Sequence, residues 1–315
     1  MSSCAASRAV NRAKGIWALQ AALAVASAAV LALALLVGVS SVTFDAPSAA
    51  ALADACRSFT LPDASVTSVG GLALGSLAVA VVMLALRSGF RQLRASRRFL
   101  RGLTVTGFGP RGAVLFADAR PQAFCAGLLR PRIYVSTGAV HSLNTDELDA
   151  VLAHEAHHAR LRDPLRVLIA RVLSDALFFL PAVRRLGERY SALAELAADG
   201  AAVRARGTQP LASALLVFEA ADPVVVGIAP ERVDHLLGDR PAWQLPLALI
   251  AWAVVVLTAV AVVALRLEAA QGTSPLSVPM FVADLCMVTM AVLPLVLGAG
   301  ALLGGRQLLA ARRSP

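Results

Sequence analysis

Residues 145–162 read TDELDAVLAHEAHHARLR, and their spacing predicts an α-helix with a metal site on one face. Within this stretch, residues 154–158 match the pattern H-E-x-x-H. Residues four apart on an α-helix differ by about 40° around its axis, so the imidazoles of His154 and His158 can point at one ion. We therefore predict that this helix carries two ligands of a single Zn²⁺ ion.

The acidic residue of the motif, Glu155, lies about 60° around the helix from His158. From there it can reach the water that the metal activates without binding the metal itself, as a general base must. His157 is three residues from His154 and could by its position also be a ligand. We predict instead that it lies behind the ligands or faces the substrate. The alternative is a solvated helix face with clustered histidines, but three of the chain's five histidines fall within residues 154–158, which favours the metal.

A catalytic zinc ion needs a third protein ligand, and this ligand must come from another element. Residues 190–204, YSALAELAADGAAVR, predict a second helix on which Glu195 and Asp199 are four apart and share a face. We predict that Glu195 is the third ligand and that Asp199 is the hydrogen-bonding partner of a ligand histidine. An ordinary solvated acidic face is the alternative. The candidates for stabilising an oxyanion are Tyr190, Arg232 and His235, among which the sequence does not choose.

Short apolar segments precede the motif helix at residues 113–116, 122–126 and 132–136, and turn residues separate them. They predict three strands that could form a small antiparallel sheet. The edge of such a sheet could pair with an extended substrate by strand addition. The alternative is that these strands only cover the helix.

The composition predicts a mainly α membrane protein, because 58% of the 315 residues are hydrophobic and only 16% are charged. Ordinary soluble domains have about 45–50% apolar and about 25% charged residues, and disordered chains have fewer apolar residues still. The first apolar run is longer than the core of a signal peptide, so we predict an uncleaved anchor there. The four predicted transmembrane helices are residues 16–40, 69–86, 243–265 and 279–303.

The net charge of +9 lies mainly in arginines that flank the predicted spans. Their distribution places both termini and the long central segment on the cytoplasmic side. We predict an N-terminal membrane region (1–86), a cytoplasmic α+β metallopeptidase domain (87–242) and a C-terminal membrane region (243–315). Residues 165–183 are apolar enough to span, but Arg171 and Asp175 interrupt them, which favours a buried or membrane-hugging helix.

Five arginines after the second span step by three and four positions and so share one helix face: Arg87, Arg91, Arg94, Arg98 and Arg101. They either bind anionic lipid as an interfacial helix or only enforce the topology, and the sequence leaves both open. No aromatic residues alternate with them as in nucleic-acid readers, so we expect no direct nucleic-acid binding. The four cysteines form no C-x-x-C pair and predict neither a thiolate metal site nor a disulfide framework.

Residues 128–165 resemble the membrane-bound metallopeptidases of the BlaR/MecR type, the sensor-transducers of bacterial beta-lactam resistance. The matching residues are Arg130, Pro131, Ile133, Glu147, His154, Glu155, His158, Asp163 and Pro164. The related HtpX and CAAX prenyl-peptidases share an E-x-x-x-D element, matched by Glu195 and Asp199, and a later segment loosely matched by Pro230, Glu231, Arg232 and Leu236. The resemblance covers about residues 103–240. It implies a gluzincin-type peptidase with His154, His158 and Glu195 on zinc and Glu155 as base and acid.

The beta-lactam sensors carry a penicillin-binding domain that this sequence does not contain, and they usually have three spans before the protease, where two are predicted here. We therefore expect a different input signal. The predicted function is an integral-membrane zinc metalloendopeptidase in regulated proteolysis or signalling, with a transcriptional repressor or a membrane protein as substrate. The alternatives are HtpX-like quality control of membrane proteins and a catalytically idle zinc-binding transducer, against which the intact Glu155 argues. A transporter is disfavoured because the spans lack paired charges.

Overall fold

A computed structural model of the chain describes residues 2–43, 48–50, 53, 66–221, 245–270, 276–277, 282 and 290. The helices are α1 (Ser2–Ser40), α2 (Val66–Arg101), α3 (Thr137–Ser142), α4 (Thr145–Leu161), α5 (Asp163–Ala176), α6 (Pro181–Arg206), α7 (Thr208–Ala221) and α8 (Leu247–Ala270). The strands are β1 (Val42–Thr43), β2 (Val105–Phe108), β3 (Val114–Phe116), β4 (Ala123–Ala126), β5 (Arg132–Ser136) and β6 (Leu276–Ser277). The chain divides into two units, Met1–Ala28 with Ala80–Leu257 and Ala29–Val79 with Thr258–Pro315.

Three of these helices are long and apolar enough to cross a membrane: α1 over Val10–Ser40, α2 and α8. They contain most of the predicted spans 16–40, 69–86 and 243–265. All but two residues of the fourth predicted span, 279–303, lie outside the described part of the chain. The described residues therefore contain three candidate membrane helices, and the fourth stays a prediction.

Helix α2 does not stop where the sequence places the end of the second span. It continues without a break from Val66 through the five arginines to Arg101, a length of 36 residues. At 1.5 Å per residue this is about 54 Å, whereas a bilayer core is about 30 Å thick. The arginine-rich segment is therefore a continuous extension of the helix that carries the second predicted span, and its contact with lipid stays a prediction. No proline interrupts the segment, so nothing in the backbone ends the helix near residue 86.

The ambiguous apolar run at residues 165–183 falls into two elements. Helix α5 ends at Ala176, and α6 begins at Pro181 after a short turn. With 14 residues, α5 is shorter than the roughly 20 residues that a membrane crossing needs. The structure thus agrees with the prediction that this run does not span.

The small sheet of the first unit has the strand order β2-β3-β5-β4. Strand β3 pairs in parallel with β5, and the other two pairings are antiparallel. The prediction of a three-stranded antiparallel sheet is wrong in this respect, because β4 turns back onto the far side of β5 instead of pairing with β3. This topology leaves β4 at the edge of the sheet.

Helix α4 lies between this sheet and the helices that follow it. Its N-terminus has a capping box, in which the Asn144 side chain accepts from the backbone of residues 146 and 147 while Glu147 accepts from the backbone of Asn144. One apolar side of the helix, including Val151 and Leu152, packs in a cluster with Val135 of β5. Another side packs through Ala150 against α6 and α7. Both contacts fix the direction in which the motif residues point.

The second unit has its own close contact, where α1 and α2 meet at two glycines. A Cβ atom on Gly38 would lie 2.7 Å from the Cα atom of Gly75, and one on Gly75 would lie 2.8 Å from the Cα atom of Gly38. Only glycine allows two helix backbones to approach this closely, as in small-residue contacts between membrane helices. Nearby, the Ser40 hydroxyl donates to the carboxylate of Glu268 in α8 over 3.0 Å.

Candidate metal centre

Two histidines of α4 and one glutamate of α6 converge on a single point. His154 and His158 present their Nε2 atoms to each other at 3.1 Å, as their spacing on one helix face predicts. The Glu195 carboxylate faces both of them, with Oε2 3.4 Å from His154 Nε2 and Oε1 3.5 Å from His158 Nε2. One potential ligand atom from each residue lies within 4.8 Å of the others. The structure thus brings together the three residues that the sequence proposes as ligands.

A carboxylate lies behind each of the two histidines. Asp199 Oδ1 lies 3.0 Å from Nδ1 of His154, and Asp163 Oδ2 lies 2.8 Å from Nδ1 of His158. Asp199 is fully buried, and Asp163 is 3% exposed. A carboxylate on Nδ1 favours the tautomer that carries the proton there and leaves the Nε2 lone pair for a metal. Asp199 takes the position predicted for it, whereas sequence reasoning assigned no role to Asp163.

Asp163 reaches the site because the chain turns sharply at Arg162. This residue has a φ of 55°, in the left-handed region, and its N–H bonds back to the carbonyls of Ala159 and His158. It ends α4 and starts α5, so that the first residue of α5 lies against the last turn of α4. The Asp-Pro pair five residues after His158 is the signal from which this placement could have been predicted, because proline favours the first turn of a helix.

A buried aromatic group continues the chain of contacts beyond Asp163. The Tyr190 hydroxyl of α6 donates to Asp163 Oδ1 over 2.5 Å and accepts from Arg166 over 3.4 Å. Burial and the neighbouring Asp163 charge raise the pKa of Tyr190, so its hydroxyl keeps its proton and acts as a donor. The Trp17 ring of α1 lies with its centroid 5.5 Å from that of Tyr190. Tyr190 is a predicted candidate for stabilising an oxyanion, but its one hydroxyl hydrogen is already donated to Asp163. The other two candidates, Arg232 and His235, lie outside the described residues.

Glu155 lies beside the convergent group and is not one of its three members. Burial raises its pKa and the Glu195 charge adds to this, whereas His154, His158 and the backbone N–H of Cys125 in β4 act in the opposite direction. A carboxylate with a raised pKa is better matched to taking up and releasing a proton near neutral pH. The Cys125 contact also places the edge strand next to Glu155.

His157 faces elsewhere, although it is as buried as the other two histidines of the motif. Its Nδ1 lies 3.3 Å from Arg160, and its Nε2 has no hydrogen-bond partner among the described residues. Burial, with the charges of His158 and Arg160, lowers the pKa of His157 to about 4. It is therefore a neutral imidazole outside the convergent group, and its predicted role beside the ligands stays a prediction.

The convergent group fits a zinc ion by its chemistry. Two imidazole nitrogens and one carboxylate oxygen form the ligand set of many catalytic zinc sites, which keep a fourth position open. The electrostatics agree, because burial alone would lower the pKa of His154, but the carboxylates of Asp199 and Glu195 outweigh it and raise this pKa to about 10. Surroundings that stabilise an extra proton on His154 also stabilise a cation in its place.

Comparisons with known proteins point to a peptidase. Residues 91–221 match the family model described as Peptidase family M48. Two relatives are a protease HtpX homolog of Pelodictyon phaeoclathratiforme (strain DSM 5477 / BU-1), 36% identical over 80 residues, and one of Pyrococcus abyssi (strain GE5 / Orsay), 40% identical over 62 residues. The matches cover 24% and 19% of this chain and 27% and 22% of the relatives, so the chain spans only a minor part of their length. No solved structure matches the chain.

These likenesses and the apolar helices support a membrane-associated metalloprotease. They agree with the predicted enzyme class and with the HtpX side of the resemblance. The closer resemblance to the beta-lactam sensors, and with it a signalling role, stays a prediction.

Proposed function

We propose that this chain is a membrane-bound zinc metalloendopeptidase that hydrolyses peptide bonds with metal-activated water. The observation that carries the proposal is the convergence of His154 Nε2, His158 Nε2 and the Glu195 carboxylate, with a carboxylate behind each histidine. Glu155 beside this group supports catalysis over a purely structural metal site, because a structural site needs no base.

One zinc ion would be held by His154, His158 and Glu195. When bound, it supplies a Lewis acid that polarises the scissile carbonyl and lowers the pKa of water. Asp199 and Asp163 would hold the two imidazoles in the orientation and tautomer that ligation requires.

The Glu155 carboxylate would accept one proton from the attacking water as the new carbon–oxygen bond forms. It would then pass that proton to the amine nitrogen as the carbon–nitrogen bond breaks, so the residue ends the cycle as it began. Its raised pKa supports this double role, since both transfers must be possible near neutral pH.

The substrate would bind as an extended strand against β4. Within the described sheet, β4 pairs only with β5, and its free side is available for strand addition. The backbone N–H of Cys125 acts on Glu155, so a peptide on this edge would lie next to the proposed base.

The active site would lie on the cytoplasmic side of a multi-pass protein in the cell membrane. The arginines that follow the apolar part of α2 support this orientation, because cytoplasmic flanks are rich in Arg and Lys. The arginine face of Arg87, Arg91, Arg94, Arg98 and Arg101 would also lie against anionic lipid at that surface.

Two cellular roles fit this chemistry. One is regulated proteolysis of a repressor or a membrane protein. The other is HtpX-like quality control of membrane proteins, a role that the resemblance to HtpX proteases implies, and two relatives carry the name protease HtpX homolog. Cutting of a folded substrate at one bond would support the first role. Degradation of misfolded membrane proteins into many fragments would support the second.

The test of the catalytic proposal is Glu155→Gln in the full-length chain. We expect the variant to bind one zinc ion per chain, as measured by metal analysis, and to cleave an unfolded protein substrate at least about a hundredfold more slowly. Glu219→Gln, in α7, is the matched control and should cleave normally. Unchanged cleavage by Glu155→Gln would refute the mechanism, and a wild-type chain that binds zinc but cleaves nothing would support the idle transducer.

A further inference from the structure

A cavity lies away from the metal centre, between α2 and the turn that joins α5 to α6. It has a volume of about 620 Å³ and shares no residue with the convergent group. Its polar lining includes Arg87 and Arg91 of α2 and Arg184 of α6, and its apolar lining includes Leu84, Leu177 and Phe178. The volume is within the usual range for ligand pockets.

The polar side of this cavity is positively charged. Among the described residues, Asp175 is the one acidic residue that lines the cavity, and it already accepts from Ser88 over 2.5 Å and from Arg91 over 3.2 Å. Arg184 pairs only loosely with Glu188, at 3.5 Å between two exposed side chains. Arg87 has no carboxylate partner among the described residues. Three guanidinium groups against one carboxylate leave a net positive cavity that suits an anion.

The apolar side has the character of a membrane contact. Phe178 is 67% exposed at the turn between α5 and α6, and Leu84 of α2 is 39% exposed. Arg87 is the first charged residue after the apolar run of α2, so the cavity lies where a span leaves the hydrocarbon core. An anion and an acyl chain meet at this depth in a phospholipid.

We propose that this cavity binds the headgroup of one anionic phospholipid, with the phosphate between Arg87, Arg91 and Arg184 and the acyl chains along Leu84 and Phe178. This site differs from the arginine face of α2, because half of it comes from α5 and α6 and because it needs an apolar wall. Helices α5 and α6 also carry Asp163, Tyr190 and Glu195, so lipid would bind to the same two helices that form part of the metal centre.

The experiment titrates the full-length chain, in neutral detergent, with dioctanoyl phosphatidylglycerol and counts bound lipid by native mass spectrometry. Dioctanoyl phosphatidylcholine and inorganic phosphate are the comparison ligands.

The test variant is Arg87→Gln with Arg184→Gln. The matched control is Arg97→Gln with Arg189→Gln, which removes the same charge from the same two helices, α2 and α6, outside the cavity and outside the arginine face. Zinc content serves as the measure of correct folding for every variant.

We expect one tightly bound phosphatidylglycerol per chain and much weaker phosphatidylcholine. Each arginine removed from the cavity should weaken binding about fivefold, and the control pair should have little effect.

Equal binding of the two lipids, or equal losses in both double variants, would overturn the proposal. Full displacement of the lipid by inorganic phosphate at the same concentration would also overturn it, since the site would then be a free-anion site. If the double variant loses its zinc, Phe178→Ser tests the apolar wall alone and should lower lipid affinity at unchanged zinc content.

Discussion

The Asp163 carboxylate contacts the ring nitrogen of His158 that faces away from Glu195: Asp163 Oδ2 lies 2.8 Å from His158 Nδ1. The other carboxylate oxygen accepts from the Tyr190 hydroxyl, so both oxygens of this buried group have partners. His154 has a carboxylate on the same ring nitrogen, with Asp199 Oδ1 3.0 Å from His154 Nδ1. The two Nε2 atoms are thereby presented to the same point by two independent supports, one on α5 and one on α6.

Asp163→Asn should lower zinc affinity by about 10–100-fold, because the amide cannot replace the carboxylate that orients the His158 ring. Competition with a chromophoric chelator measures this affinity directly. Tyr190→Phe removes only the donor to Asp163 and should cause a smaller loss.

Asp175→Asn is the matched control for this measurement, because Asp175 lies on the same helix α5 but at the lining of the cavity away from the metal centre. It should bind zinc like the wild type. If Asp163→Asn also keeps the wild-type affinity, then Asp163 does not support the ligand.

Cys125 should be chemically inert despite its place beside Glu155. Burial, with the charges of Glu155 and Asp163, raises the pKa of Cys125 to about 12. Since the thiolate is the reactive form, alkylation at pH 8 should be about a thousandfold slower than for an ordinary thiol. The rate of iodoacetamide labelling is measured in a metal-free variant whose other three cysteines are serines.

The same variant unfolded in denaturant supplies the reference rate for a free thiol. Labelling of the folded protein at that reference rate would contradict the burial of Cys125. Cys125→Ala should in addition retain proteolytic activity, because only the backbone N–H of this residue acts on Glu155.

The convergent group of His154, His158 and Glu195 could be predicted from the sequence in large part because the spacing within each helix is local. The spacing of His154 and His158 fixes both on one face of a helix, and the same holds for Glu195 and Asp199. Sequence reasoning also placed the two pairs together, since a zinc ion needs three protein ligands. The sequence does not say which helices pack together, but the number of ligands that a zinc ion needs supplied that information.

The supporting contacts could not be predicted, because they depend on turns and on packing between distant segments. Asp163 reaches His158 only because Arg162 adopts a left-handed conformation. Trp17 contacts Tyr190 across more than 170 positions of sequence, and periodicity in α1 gives no sign of it. The parallel pairing of β3 with β5 likewise depends on where β4 lies, which alternation of apolar residues does not determine.

Acid should weaken the link between α4 and α6 that Asp149 forms. Its carboxylate accepts from Arg206 and pairs with Arg111 at 2.9 Å, and these contacts keep its pKa below the usual 3.8. A lowered pKa in the folded state stabilises the protein above the unfolded-state pKa, and this stabilisation is lost as the pH falls through the folded-state value. Asp149→Asn should therefore lower the melting temperature at pH 7, by an amount that shrinks toward zero below pH 3.8.

Metal-free protein in detergent is used for these melting curves, so that loss of zinc does not contribute. Asp146→Asn is the control, because its carboxylate is 71% exposed and lies 3.8 Å from Arg206. It should change the melting temperature little at any pH. A constant difference between Asp149→Asn and the wild type from pH 7 to pH 3 would show that its charge is not responsible.

The contact between α1 and α2 in the second unit should tolerate no side chain at Gly38. An added Cβ would lie 2.7 Å from the Cα atom of Gly75 and 3.3 Å from the carbonyl oxygen of Gly71, so the two backbones must separate. Gly38→Ala should destabilise the protein by about 1–3 kcal/mol, as overpacking does, and lower its melting temperature in detergent.

Gly15→Ala is the control in the same helix, because nothing lies within 4 Å of the added methyl group. It should be neutral or slightly stabilising, since alanine favours the helix over glycine. Equal melting temperatures for the two variants would mean that α1 and α2 do not meet at these glycines.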